Sequence, residues 1–110
     1  MESISLFEFN KRIRSVLAQA NNLNGIWVTA DTSDLRVSNG HCYLELIEKN
    51  EKNAIIAKTR AMIWANNYLR LKAKFEAVTN QILKSDLKVM VQVNASYHEL
   101  YGLSVVIRDI

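Results

Sequence analysis

The feature that most constrains the fold is a set of five short segments in which apolar and other residues alternate with a period of two. The first three span 26–31, 41–47 and 54–64, and two more begin at Leu87 and Leu103. Alternation of this kind is typical of strands that bury one face. We therefore predict five strands. In the third strand, Thr59, Ala61 and Ile63 are expected to point inward.

Two further segments repeat every three to four residues and predict helices. The first covers residues 5–20, where Ser5 and Glu8 form a capping box. Its apolar stripe consists of Leu6, Phe9, Ile13, Val16, Leu17 and Ala20. The second predicted helix runs from about Asn67 to Lys84. Its apolar face consists of Tyr68, Leu71, Phe75, Val78 and Ile82.

The order of these elements indicates a fold class. Turn-like residues at 33–34, 38–40 and 48–53 separate the first strands, and a polar, aromatic loop over 96–102 joins the last two. Helix, three strands, helix and two strands is the order of an OB-fold. We therefore predict a mainly β, five-stranded Greek-key barrel with one helix before it and one between strands 3 and 4. Another small α+β fold is the alternative. The βαββαβ order of an RNA-recognition domain does not fit.

Composition limits the other possibilities. The 110 residues are enough for one domain, expected to cover 1–110. Cys42 is the single cysteine, so no intrachain disulfide can form, and we expect a reducing, cytoplasmic location. No apolar run approaches the ~20 residues of a membrane helix, and a signal peptide is not expected. We expect no membrane partner, no metal site and no cofactor in this chain.

Charge is unevenly distributed along the chain. The formal net charge is +3, but residues 51–90 alone carry eight positive and three negative groups. The outer face of the third strand would present Lys58, Arg60, Met62 and Trp64, with Tyr43 beside them. Cations interleaved with flat rings are what a single-stranded nucleic acid needs, because phosphates are neutralised while bases stack.

Each candidate binding residue has a structural alternative. For Trp64, sealing the second helix against the barrel is favoured over base stacking, and for His41 a bond to a loop backbone is as well supported as a DNA contact. Trp27 is expected in the core, beneath the first helix. No catalytic residue is predicted in this chain. The predicted nucleic-acid-binding residues are Arg36, His41, Tyr43, Lys58, Arg60, Trp64, Tyr97 and Tyr101.

Several segments together resemble a known family. They are Ser5-Leu6-Phe7-Glu8-Phe9-Asn10, Ile26-Trp27-Val28, Ser33-Asp34-Leu35-Arg36, Ser38 to Leu46 with its Gly-His-x-Tyr sequence, Ala61-Met62-Ile63-Trp64 and Tyr97 to Gly102. Over nearly its whole length the chain resembles the N-terminal domain of the exodeoxyribonuclease VII large subunit. It departs from the family pattern at Asp34, Ala65 and Asp86, where Asn, Arg and a turn Gly are usual.

The resemblance implies an OB-fold that helps to hold single-stranded DNA, with catalysis in a following domain that this chain lacks. The parent protein would be a hydrolase that degrades single-stranded DNA to oligonucleotides. The partners implied are single-stranded DNA, the remaining large-subunit chain and the small subunits of the nuclease. Two alternatives stay open: a protein-interaction or assembly domain, and an RNA- or tRNA-binding OB module. A stand-alone enzyme, with Asp31, Asp34 and Glu45 binding a metal, is the least favoured.

Overall fold

Five strands form a closed barrel in the computed structural model, which describes residues 1–110. The strand order is β1-β2-β3-β5-β4; β3 and β5 are parallel and the other neighbours are antiparallel. This confirms the predicted OB-fold, including the positions of both helices. The elements are α1 (Leu6–Gln19), a short 3₁₀ turn (Asn21–Leu23), β1 (Asn24–Ser38), β2 (His41–Lys49), β3 (Ile55–Ile63), α2 (Ala65–Thr79), β4 (Lys88–His98) and β5 (Gly102–Asp109).

The core lies inside the barrel and beneath α2. Alternation works as predicted on β3, where Ala61 and Ile63 are buried while Lys58 and Arg60 are exposed. The other strands and α2 contribute the remaining apolar side chains of the core, among them Cys42, Leu44, Leu46, Tyr68, Leu71, Phe75, Val89, Val91, Val93 and Ile107. The outer faces of β2 and β3 are therefore left available for a ligand.

The predicted turn at Ser33-Asp34 is wrong, because β1 continues through it as one strand of 15 residues. The pairing of β1 with β2 shifts register between Ser33 and Arg36, and Asp34 has φ 50°. This is a bulge, which bends a strand and strengthens its twist. The bend lets β1 pair with β4 over its first half and with β2 over its second.

Helix α2 ends five residues earlier than the predicted Lys84. Asn80 adopts a left-handed conformation (φ 60°) and its N–H donates to the Glu76 carbonyl, which closes the helix at Thr79. The predicted apolar face is confirmed only up to Phe75, since Val78 is 78 % exposed. The residues after Asn80 connect to β4 without helical structure.

Helix α1 does not cover the barrel as predicted. It lies against β4 and buries none of its residues. Asn10 Nδ2 donates to the Glu99 carbonyl (2.9 Å), and Arg14 Nη1 is 2.8 Å from the Glu99 carboxylate. Trp27 is consequently 46 % exposed, so its predicted core position is wrong. Neither helix has the length and apolar character required to cross a bilayer.

Candidate nucleic-acid interface

A groove of about 660 Å³ lies between the outer faces of β2 and β3 and the hairpin formed by β4 and β5. We call it the aromatic groove. The rings and cations that line it include Arg36, Tyr43, Arg60, Trp64, His98 and Tyr101. Five of these six were predicted as binding residues, and His98 was not.

The first wall of the aromatic groove is built by cross-strand pairs. Because Cys42 and Leu44 point into the core, Tyr43 points outward. Its cross-strand partner on β3 is Met62. On its other side Tyr43 pairs with Arg36 of β1, whose guanidinium carbon lies 5.9 Å from the centre of the Tyr43 ring. That distance is within cation–π range. The ring and the cation therefore form one continuous surface.

Arg36 is also held from its own strand. Its Nη1 lies 3.3 Å from Asp34 Oδ2, and both side chains are about two-thirds exposed. An exposed pair of this kind contributes little to stability. Arg36 therefore keeps free guanidinium N–H groups that can donate to a ligand.

Arg60 joins the two sides of the aromatic groove. Its Nη2 donates to the Tyr101 carbonyl, and the Leu103 carbonyl lies 3.4 Å from the same nitrogen. Tyr101 belongs to the turn between β4 and β5 and Leu103 to the start of β5, so the guanidinium bridges β3 and the hairpin. Arg60 thus has a structural role, and its other N–H groups still line the groove.

His41 lies behind the groove rather than in it. The Ala65 N–H donates to His41 Nδ1 (2.8 Å), so the imidazole caps the first turn of α2. The residue at the N-cap position, Trp64, makes no side-chain cap of its own. The imidazole meets Trp64 edge-on at 5.1 Å and Tyr43 at 6.2 Å between ring centres. His41 therefore supports the two rings that line the groove.

Trp64 lies between the barrel, the second helix and the groove. It stands at the junction of β3 and α2, yet 41 % of its surface is exposed. Its ring has the His41 edge on one side and lines the groove. A base could therefore stack on a ring that is already held in place.

The hairpin supplies the opposite wall. The rings of His98 and Tyr101 are stacked at 4.7 Å, and the Leu100 N–H donates to His98 Nδ1 (3.0 Å). Tyr101 is 64 % exposed. Tyr97 alternates to the other side of β4 from His98 and does not line the groove. The structure therefore brings Tyr101 to the site and leaves Tyr97 outside it.

The positive charge of residues 51–90 is not gathered at the aromatic groove. Lys58 lies just outside the groove and pairs with Glu45 (3.3 Å). Lys72 pairs with Glu76 (2.6 Å) along α2, and Lys74 with Asp109 (2.7 Å). Two arginines and two carboxylates line the groove, so their formal charges cancel. The groove is aromatic and polar rather than strongly basic.

Sequence reasoning missed part of the hairpin wall. Ser96 and Ser104 face each other across β4 and β5 and both line the groove. The alternation of side chains along a strand could have revealed it, because Ser96 and His98 are two residues apart and must share a face. It was obscured because the segment 96–102 was interpreted as a loop, whereas the strands extend to His98 and restart at Gly102.

Cys42 is fully buried in the barrel, and burial raises the pKa of its thiol to about 11. Nowhere do three or more His, Cys, Asp or Glu side chains gather in a way that would hold a metal ion.

Comparisons with known proteins agree with the OB-fold. Residues 4–110 match the family described as "OB-fold nucleic acid binding domain". The chain is also 36% identical over 91 residues to the exodeoxyribonuclease 7 large subunit of Deinococcus radiodurans. This similarity confirms the resemblance found in the sequence. The match covers 78% of this chain but 22% of that relative, so the chain spans about a fifth of its length.

Proposed function

The chain belongs to the family of OB-fold nucleic acid binding domains, and from that premise we propose that its aromatic groove binds single-stranded DNA. The domain would hold the strand for an exodeoxyribonuclease VII large subunit, whose catalytic part lies elsewhere in the protein. The chain itself would perform no catalysis and need no cofactor. The whole protein would be a cytoplasmic hydrolase acting with its small subunits on single-stranded DNA.

The observation that carries this proposal is the convergence of three exposed or half-exposed rings on one groove. Tyr43 and Trp64 come from the β2–β3 face, and Tyr101 comes from the hairpin opposite. Stacking of a base on such a ring is worth about 1–3 kcal/mol and tolerates any base. Arg36 and Arg60 line the same groove, where they can donate to phosphates.

The balanced charge of the groove determines how the DNA would be held. With Asp34 and Glu45 beside the two arginines, attraction of the phosphates is limited. Stacking would therefore provide most of the affinity. This arrangement favours a single strand over a duplex, since only unpaired bases expose their faces to the rings.

The test is binding of a fluorescently labelled oligo-dT, followed by anisotropy at low salt. Removing the Trp64 ring from the groove in the variant Trp64→Ala should weaken binding by roughly 5- to 100-fold, as expected when one base loses its stacking partner. Trp27→Ala is the matched control, because Trp27 is exposed to a similar extent but lies outside the groove. It should leave the affinity unchanged.

Two results would contradict the proposal. One is no binding of oligo-dT even at low salt, and the other is an equal loss in both tryptophan variants. Parallel titration with an RNA of the same length and sequence separates DNA binding from the RNA-binding alternative. Tighter binding of the RNA would favour the latter.

A second candidate function, assembly, is favoured by the exposed apolar surface of α1. Leu6, Phe9 and Val16 are each more than half exposed on the same stripe, and such patches often mark interfaces. The occupant we propose is the remainder of the nuclease large subunit. Added as a separate polypeptide, that remainder should bind this chain and lose affinity for the Phe9→Asp variant. Equal binding of the wild-type chain and the variant would exclude the apolar stripe of α1 as the docking surface.

A further inference from the structure

A second pocket of about 330 Å³ lies beside the aromatic groove. We call it the asparagine pocket. It is bounded by the start of β1, the first turn of α2 and the outer faces of β4 and β5. Its polar lining comes from Asn24, Asn66, Asn67, Asn94 and Arg108, and it shares Trp64 and Ser96 with the groove.

The amides of this pocket are only partly used within the chain. Asn94 Oδ1 accepts from the Gly25 N–H (2.6 Å), which leaves its NH₂ group free to donate. Asn24 Nδ2 lies 3.3 Å from the Ala20 carbonyl, and its Oδ1 remains free to accept. Asn66, in the first turn of α2, makes no side-chain hydrogen bond in the structure and offers both groups. The pocket thus presents donors and acceptors together.

We propose that the asparagine pocket receives one base of a strand held in the aromatic groove and binds the base through its hydrogen-bonding edge. The inference rests on the proposed function. Because Trp64 and Ser96 line both cavities, a base stacked on Trp64 would lie next to the asparagine pocket. An amide places a donor next to an acceptor, which is how asparagine pairs with a base edge.

A base suits this pocket better than a phosphate does. A phosphate offers only acceptors, whereas the free Oδ1 of Asn24 and the carboxamide of Asn66 also require donors. Arg108 is the single cation in the lining and lies exposed at the pocket. It can donate to a flanking phosphate while the amides contact the base. Stacking in the groove is indifferent to base identity, so the pocket would be the source of any base preference.

The experiment compares the affinities of oligo-dA, oligo-dC and oligo-dT for the wild-type chain and for Asn66→Ala at one fixed salt concentration. The wild-type chain should prefer one oligonucleotide. The substitution should lower that affinity by at least about fivefold and change the others less. The substitution removes no hydrogen bond within the chain and suits a helix, so folding should be retained. Asn22→Ala, an exposed asparagine outside the pocket, is the matched control.

A second variant separates base contacts from backbone contacts. Arg108→Ala should weaken all three oligonucleotides by the same factor, as expected for a phosphate contact. If Asn66→Ala lowered the affinity for all three oligonucleotides equally, or for none of them, the inference would be overturned while the proposed function stayed intact. Failure of the wild-type chain to bind any of the three would overturn both.

Discussion

Thr32 shows how one residue ties distant parts of this chain together. It is 1 % exposed, and its hydroxyl donates to the Lys84 carbonyl (2.7 Å) while accepting from the Leu87 N–H (3.0 Å). Its backbone makes two further bonds to the same connection, with Asp86 and Leu87. The α2–β4 connection, which has no regular structure, is thereby fixed to the bulged strand β1.

Replacing this hydroxyl by a methyl group in Thr32→Val should lower the free energy of unfolding by about 1–3 kcal/mol. The shape is nearly kept, but the partly buried Leu87 N–H and Lys84 carbonyl lose their partner. Urea denaturation measures the change. Thr29→Val on the same strand is the control, since Thr29 is exposed and should tolerate valine. Equal stability of both variants would show that the network does not matter.

For single residues, alternation predicted which way each side chain points but not whether another element covers it. Tyr43, Arg60 and Trp64 point away from the core as expected. Trp27 also alternates outward, and only the position of α1 against β4 decides that it stays uncovered. Ser33-Asp34 was predicted as a turn because Asp tolerates the left-handed backbone of turns; Asp34 does have φ 50°, but that conformation serves a bulge here.

Among the elements, α2 is held in part by the residues that come after its last turn. Glu76 Oε2 accepts from Lys72 Nζ (2.6 Å) and from the Leu83 N–H (3.1 Å). These bonds, first that of Lys72, hold the pKa of the Glu76 carboxyl below its ordinary value near 4.5. The charged form is favoured by folding, so its contribution to stability is present above that value and is lost as the pH falls below it.

We therefore expect Glu76→Gln to lower the free energy of unfolding near pH 7, with the difference from wild type shrinking below about pH 4. Urea denaturation at a series of pH values measures it. Glu51→Gln is the control, as Glu51 is exposed and makes no ion pair in the structure. A difference that stays constant over the whole range would mean that the charge of Glu76 is unimportant.

Element boundaries were predicted well where a local signal exists. Ser5 caps α1 through the Glu8 N–H, as its sequence indicates. The end of α2 was missed because Val78 and Ile82 continue a helical period, while the left-handed Asn80 closes the helix. The hairpin was predicted as a loop because its length depends on pairing across β4 and β5, which is not a local property.

For the whole molecule, the barrel was predictable because the order of elements leaves few topologies. The distribution of charge in space was not predictable, because counting charged residues along the chain ignores which of them form ion pairs. Lys72 and Lys74 belong to the positive segment, yet both pair with carboxylates away from the groove. The asparagine pocket was equally hidden, because Asn24, Asn66 and Asn94 meet only when the barrel closes.

This distribution leads to an expectation for the salt dependence of DNA binding. If Arg36, Arg60 and Arg108 are the cations that contact phosphates, the slope of log K against log salt should be about −1.4 to −2.1, because each phosphate neutralised on a single strand contributes about −0.7. The five excess charges of residues 51–90 would together give roughly −3.5.

Oligo-dT titrations between low and physiological salt measure this slope. Arg36→Ala should make it shallower by about 0.7, because the residue would no longer displace one counterion. Lys74→Ala is the control: Lys74 pairs with Asp109 outside the groove, so its loss should leave the slope unchanged. A wild-type slope steeper than about −3 would mean that the strand also contacts cations outside the groove and the asparagine pocket.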